Sequence, residues 1–514
     1  MTSRLARLSR RALLTAGGGA LAGAGLAGCD GIIASGGANN SAQGSAGSLL
    51  TSKLDLPGRF QVPLPIPPVL KPVRTDGTTD YYEITQKAAK AEILPGVSTT
   101  VWGYNGIFPG PTLVSRAGRR TVVTHRNELP VPVSVHLHGG KVAPEHDGYP
   151  TDLIMGTGPH NGHSGRMTTG PRDYVYELDQ PAATLWYHDH RMDFTGPQVY
   201  RGLAGFHLIR DDLEESLGLP TGDRDIPLMI ADRAFEADGS FRYPSVDPSL
   251  ANTPGVTKDY VSGVLGDCVL VNGAPWPVLE VEAARYRFRI LNASNARRYK
   301  LALDEGASFV QIGSDLGLLE RPVRTKTIEI AQAERYDVIV DFSGFPPGKQ
   351  VTLRNGNGRG GTADVMRFVV TRGASDDSRI PDKLAAREQL SPDQAVAERQ
   401  IVFARGGAEK NGMTLWTVNG RPFSEDHVVA RPKLGTVEKW TIRALNVEHP
   451  FHIHLAGFQV LNGSEQGWKD TVNLDNGGRA ELLVKFAGFR GKYVLHCHNL
   501  EHEDMMMMAN FEVV

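Results

Sequence analysis

One stretch near the end of the chain constrains it more than any other. Residues 496–507 read HCHNLEHEDMMM. Cys497 stands between His496 and His498, His502 follows, and Met507 lies five residues beyond it. Thiolate and thioether sulfur together with imidazole select copper. Two His, one Cys and a weak axial Met are the ligands of a blue-copper electron-transfer site. Successive side chains of a strand face opposite ways, so His496 and His498 share one face and Cys497 takes the other. The motif therefore predicts two metal centres joined through a few covalent bonds, an arrangement suited to passing electrons.

Histidine elsewhere supports that reading. Ten of the 16 His fall in four tight clusters: His136 with His138, His188 with His190, His449 with His452 and His454, and His496 with His498 and His502. A lone His-x-His pair is more often a surface or core feature. Four clusters together make ligation the simpler explanation. Zinc also accepts Cys and His, but a structural zinc needs four ligands and a catalytic one usually three. This set is too large for one or two such sites, and zinc has no redox use for a bridging Cys.

The rest of the composition bounds the class. A chain of 514 residues with net charge -2 and 40% hydrophobic residues predicts a large protein of several domains. Nothing is basic enough to imply nucleic acid. With 58 Gly and 32 Pro, short strands and many turns are favoured over long helices. The three cysteines, Cys29, Cys268 and Cys497, give no disulfide framework. Cys268, at a strand start, reads as a buried free thiol.

Residues 1–29 read as an export signal. Four Arg precede an apolar run, and Arg10 with Arg11 resembles a twin-arginine signal. Leu26-Ala27-Gly28-Cys29 resembles a lipobox, with Cys29 lipidated as the new N-terminus. Residues 30–54, rich in Gly, Ser, Ala and Asn at their start, are expected to form a flexible tether. An exported lipoprotein on the cell surface or the outer face of the cytoplasmic membrane, or released from it, is the expected location.

Strand-like runs then recur: 120–125, 131–138, 285–291, 327–330, 336–342, 365–370, 436–442, 480–486 and 492–497. Residues 389–398 read as a short helix or linker. The chain divides into 55–215, 216–385 and 386–514, each the size of one β-sandwich domain. Similar turn segments begin at Asn105-Gly106, Asn272-Gly273 and Asn419-Gly420, an echo that suggests triplication.

The sequence resembles the multicopper oxidases, in particular the three-domain bacterial spore-coat laccases and, less closely, bilirubin oxidases. The likeness is carried by HLHGGKVAPEHDGYP from His136, LWYHDHRMDFTGPQVYRGLAGFHLI from Leu185, VNGAPWPVLEVEAARYRFRILNASNARRY from Val271, GWKDTV from Gly467 and HCHNLEHEDMMMM from His496. It implies an all-β fold of three cupredoxin-like Greek-key sandwiches. It also implies four coppers per chain. The type 1 copper would take His449, Cys497 and His502, with Met507 axial, the family spacing choosing among Met505 to Met508. The type 2 copper would take His136 and His452. The type 3 pair would take His138, His188, His190, His454, His496 and His498. The trinuclear site would lie between the first and last domains, with the middle domain as spacer and substrate wall. Asp147 and Glu503 match the family's two carboxylates and are expected to relay protons. Asp189 reads as structural, and Glu448 and Asp470 stay ambiguous.

The implied reaction is one-electron oxidation of small aromatic donors, phenols and aromatic amines, coupled to four-electron reduction of dioxygen to water, by a monomer. The alternatives are a cuprous, ferrous or manganous ion oxidase, or a bilirubin oxidase. No long Met-rich insert precedes the last motif, which lowers the cuprous reading. A copper-free cupredoxin scaffold is disfavoured because every ligand position is filled.

Overall fold

The computed structural model describes residues 45–158, 165–410, 412–463 and 465–514. The expected signal segment, with Arg10, Arg11 and Cys29, lies outside them. Six of the sheets pair around three hydrophobic cores. The first pair joins a five-stranded sheet built on Thr79–Leu94 and Arg120–Asn127 to a four-stranded sheet of Gly110–Arg116, Ala204–Arg210, Ala183–Asp189 and Val135–His138. The middle pair is built on Asp225–Phe235 and Arg285–Asn292 on one side, and Gln350–Asn355 and Asp364–Gly373 on the other. The last pair sets Ala395–Lys410 and Val437–Ala444 against Gly491–Cys497 and Met508–Val513. The fold is thus three cupredoxin-like sandwiches.

Alternation makes these strands. In Arg120–Asn127 the Thr121, Val123 and His125 side chains are buried and the residues between them are not, the pattern of a strand with one face on a core. Each sandwich repeats one device. A long strand pairs in parallel with a later one: Thr79–Leu94 with Arg120–Asn127, Asp225–Phe235 with Arg285–Asn292, and Ala395–Lys410 with Val437–Ala444. The three Asn-Gly turns are also equivalent. Asn105, Asn272 and Asn419 take φ of 56°, 49° and 52°, followed by Gly at 74°, 83° and 75°. Both residues of a tight hairpin turn need positive φ, which Asn and Gly tolerate best. The Asn side-chain oxygens accept the amides of Thr85, Met229 and Val402 at 2.9, 2.8 and 2.8 Å, each on the long strand of its own sandwich.

Three sequence expectations need correction. The run 131–138 is a strand only over Val135–His138, because Pro132 has no N–H to donate to a ladder. Residues 389–398 hold no α-helix. A single 3-10 turn at Pro392–Gln394 leads into the 16-residue strand Ala395–Lys410. The expected tether over 30–54 does not extend to its end: Ser48–Leu50 pairs in parallel with Val264–Gly266, and Leu50 is buried. Its apolar side chain finds a core, which Gly and Ser cannot supply. Cys268 and Cys497 are buried and free of disulfides.

Candidate metal centre

The last sandwich builds one converging triplet by itself. His449 opens the strand His449–Ile453, Cys497 closes Gly491–Cys497, and these strands pair with Phe451 opposite Cys497. His502 comes from the short helix Leu500–Asp504, whose N-cap Asn499 accepts the His502 amide. Cys497 Sγ lies 3.4 Å from His449 Nδ1 and 3.5 Å from His502 Nδ1, and the two Nδ1 atoms are 3.0 Å apart. A triangle with such sides has its centre about 2 Å from each corner, the length of nitrogen– and sulfur–metal bonds. The outer nitrogens face carbonyls, His449 Nε2 that of Leu445 at 3.1 Å and His502 Nε2 that of Ser262 at 3.2 Å. Each ring proton is therefore placed on the outer nitrogen, and both Nδ1 lone pairs face each other without a proton between them. A cation resolves that contact. Burial pushes the His449 imidazole down to about 4 and the Cys497 thiol well above its ordinary range, so the rings are neutral and a thiolate needs a positive neighbour.

Met507 is buried in the same core as Cys497, and its carbonyl accepts the Cys497 amide at 3.1 Å. Met508 turns instead to a separate cluster with Tyr149 and Val494. Trp416 covers His502 with ring centroids 3.9 Å apart and donates Nε1–H to Val261.

The other eight histidines form the interface between the first and last sandwiches. His136 and His138 sit on Val135–His138, which pairs with Ala183–Asp189 so that His188 faces His136. Ligand atoms of three sets lie within 4.8 Å of one another: His136, His138 and His452; His138, His188 and His498; and His190, His454 and His496. Each set mixes both ends of the chain. Nδ1 of His136 donates to the Asp147 carbonyl at 2.6 Å, that of His188 to the Asp189 carbonyl at 2.8 Å, and that of His452 to the Asp470 carbonyl at 2.9 Å. Their Nε2 atoms are buried without a hydrogen-bond partner, as are His138 Nδ1 and both nitrogens of His498. His496 Nε2 lies 3.2 Å from His190 Nε2 and 3.3 Å from His454 Nε2. Burial pushes His188 to about 3 and His190 to about 4. So many neutral, orphaned nitrogens aimed at common points fit metal ions and little else.

Carboxylates hold the outer nitrogens. Asp147 Oδ2 lies 2.6 Å from His454 Nδ1. Burial, with Asp152 adding to it, pushes the Asp147 carboxyl well up. Glu503 lies 3.2 Å from His496 Nδ1 and 3.5 Å from His190 Nδ1, and accepts the Thr195 hydroxyl at 2.8 Å. Burial opposes its charge, but His496 and His190 hold it well below the usual range. Asp189 accepts the amides of Ser134 and Arg191 and the Gln198 side chain. It braces the end of the strand that carries His188 and leads to His190 rather than facing the cluster.

Asp470, ambiguous in the sequence, is bound to the site on both sides. Oδ1 lies 3.0 Å from His138 Nε2, and Arg335 of the middle sandwich grips both oxygens at 2.7 and 2.6 Å. Lys469 joins this network through Asp315 and Glu334 at 3.2 and 3.0 Å. Sequence reasoning missed Arg335, Asp315 and Glu334. The only available signal was the stretch around GWKDTV, which identifies Asp470 but not its partners.

Over most of its length the chain is similar to known proteins. Family profiles described as multicopper oxidase match residues 85–214, 249–362 and 396–514. A laccase of Bacillus subtilis (strain 168) is 36% identical, covering 88% of this chain and 98% of its own. A bilirubin oxidase of Albifimbria verrucaria is 38% identical, covering 88% of this chain and 81% of its own. Among solved structures, a laccase from Pediococcus acidilactici Pa5930 superposes with a TM-score of 0.77 at 33% identity, over 91% of this chain and 95% of its own.

Proposed function

This chain belongs to the multicopper oxidase family, and from that premise we propose that it is a laccase-type enzyme, oxidising phenols and aromatic amines one electron at a time and reducing dioxygen to water. The observation that carries the reading is the position of one tripeptide. Cys497 belongs to one converging triplet, while His496 and His498 belong to two others. Four coppers per chain are assigned accordingly. His449, Cys497, His502 and Met507 would hold type 1, and His136 and His452 type 2. His138, His188, His190, His454, His496 and His498 would hold the type 3 pair. Bound there, copper supplies one-electron redox chemistry at the first centre and dioxygen reduction at the second.

The chain's own residues do the rest. Cys497 is joined by backbone to His496 and His498, which gives electrons a short covalent path. The Leu445 and Ser262 carbonyls fix the tautomers of His449 and His502. Asp147 lies against His454 and Glu503 against His496 and His190, and both are assigned to proton delivery, since water formation consumes four protons. The three sandwiches are assigned to 55–215, 216–385 and 386–514, in a monomer. The Arg10-Arg11 pair and Cys29 support twin-arginine export and a lipid anchor at the cell surface.

Bilirubin oxidation is the second reading, favoured by the 38% identical relative of that name. Oxidation of ferrous, cuprous or manganous ions is the third reading. The test loads the protein with copper and records its spectrum and its dioxygen uptake. A red absorbance band with a near-ultraviolet shoulder is expected, with four donor equivalents consumed per dioxygen and no free peroxide. Absence of the red band from copper-loaded protein would sink the type 1 assignment. A panel of phenols, bilirubin and reducing metal ions then ranks the donors.

A further inference from the structure

Neither His449 nor His502 has an exposed ring edge. A donor in solvent approaches them most directly along their outer nitrogens, and the one on His502 is covered by the Ser262 carbonyl. Asn499 Nδ2 donates to the same oxygen at 3.2 Å. Ser262 lies in a short loop between the turn Lys258–Tyr260 and the strand Val264–Gly266. The strand is fixed from inside, where the Val264 amide donates to Glu501 at 3.1 Å.

Outside, the loop is held by residues that precede the first sandwich. Ser48–Leu50 runs parallel to Val264–Gly266. The Ser48 amide donates to Gly263 at 2.9 Å and its hydroxyl to the Asp259 carbonyl at 2.5 Å. The Ala46 amide meets the carboxylate of Glu448, the residue before His449. Ser45 accepts the Arg298 amide at 2.8 Å. The backbones touch where they cross. A Cβ on Gly47 would meet the Gly263 oxygen at 2.7 Å, and one on Gly263 would meet the Ala46 oxygen at 2.8 Å. This segment therefore reaches from the residue before one type 1 histidine to the residue after the carbonyl that covers the other.

We propose that residues 45–50 form a strap that selects electron donors: it fixes the Ser262 carbonyl over His502, admits compact donors to the type 1 edge, and holds bulky phenols off until it lifts. The inference rests on the assignment of His449, Cys497 and His502 to type 1 copper. Each donor gives up one electron at this edge, and dioxygen takes four, with four protons, to make two waters. The strap is built to lift. Its strand is three residues long and belongs to a two-stranded sheet. Leu50 is its one buried apolar anchor. Segments with so few buried contacts open locally at far lower free energy than a core strand.

Two full-chain variants release it by different means. Ser48→Pro deletes the N–H given to Gly263, and Leu50→Glu removes the anchor. Copper-loaded wild type and variants are compared on hydroquinone and on the much bulkier syringaldazine. Hydrogen exchange over 45–50 and 258–266 and the red band are followed in parallel. Faster exchange in both segments is expected with the band unchanged, and kcat/KM should rise about fivefold or more for syringaldazine and less than about twofold for hydroquinone. An equal change for both donors, or no change despite faster exchange, overturns the proposal. So does loss of the band in both variants, because the strap would then be holding copper ligands rather than the entrance. The wild-type spectrum tests the type 1 assignment separately.

Discussion

At the scale of single residues, the least visible contributor is Arg335. It belongs to the middle sandwich, which supplies no histidine to the clusters, yet its two prongs fix Asp470. Asp470 in turn meets the His138 ring at Nε2 and takes the His452 ring proton on its backbone carbonyl. His138 is thereby obliged to present Nδ1, unlike His136, His188 and His452, which present Nε2. The match of a planar fork to a carboxylate is specific to Arg. Arg335→Lys keeps the charge and loses the second prong. Partners that orient a ligating His are worth roughly 10–100-fold in metal affinity or activity. The variant should therefore lose trinuclear copper and turnover by about that factor, while the red type 1 band persists. Copper analysis with the two absorbance features measures this, and parallel loss of both bands would refute the positioning role. Gly139 is part of the same device. Its φ is +86°, and a Cβ there would come within 2.8 Å of Arg335 Nη2 and 2.9 Å of Asp470 Oδ2. Gly139→Ala should give the Arg335→Lys spectrum with a lower melting temperature. The histidines were legible in the sequence because ligation demands fixed residue types at fixed spacing. Arg335 was not, since it lies 135 residues from Asp470 and no local pattern records the meeting.

Among elements, the short helix Asp212–Ser216 shows how the first sandwich is locked to the second. Asp211 caps it by accepting the Glu214 amide at 2.7 Å. The helix then delivers Glu214 into a buried cluster with Arg287 and Arg289 at 2.5 and 2.6 Å, next to Asp225 and Asp337. Burial opposes the Glu214 charge, but Arg289, Arg287 and Arg210 hold its carboxyl at about 2, against 4.5 for an ordinary Glu. A depressed carboxyl stabilises the fold fully above its unfolded value and ceases to do so as pH falls through its folded value. The unfolded chain thus binds the extra proton between about pH 4.5 and pH 2, and stability falls with pH in that window. Glu214→Gln leaves buried arginines short of a carboxylate, which costs about 3–5 kcal/mol. It should also flatten the acid limb of the stability curve between those two pH values. Denaturant titrations at a series of pH values separate the two effects, and an unchanged acid limb would count against Glu214 as its source. Elements were legible where alternation or turn chemistry dictated them, as in Arg120–Asn127 and the three Asn-Gly turns. They were not where tertiary pairing overrode local composition. Ser48–Leu50 looked like tether because its own residues give little signal, and its strand exists only because Val264–Gly266 lies beside it.

For the whole molecule, the wide separation of the histidine clusters along the chain already implied that the first and last sandwiches must meet. The middle sandwich looked like a spacer from sequence, for want of histidines, whereas Arg335, Asp315 and Glu334 make it a structural partner of the site. This arrangement sets what copper does for stability. The triplet of His449, Cys497 and His502 lies wholly within the last sandwich, so a metal there would brace one core. The other sets each join His136, His138, His188 or His190 to His452, His454, His496 or His498, so metals there tie the first sandwich to the last. A ligand bound only by the folded state stabilises it by RT ln(1 + [L]/Kd), about 4 kcal/mol at a thousandfold excess over Kd. Complete copper removal should therefore lower the melting temperature. It should also split the calorimetric transition, because the facing imidazoles keep their burial without their partner and the interface is weakened more than either core. Cys497→Ser, which removes only the type 1 thiolate, should abolish the red band and leave a single transition close to that of the wild type. If the copper-free protein melted in one transition at the wild-type temperature, the metals could not be joining the sandwiches. If Cys497→Ser split the transition as copper removal does, the staple would lie within the last sandwich rather than between it and the first.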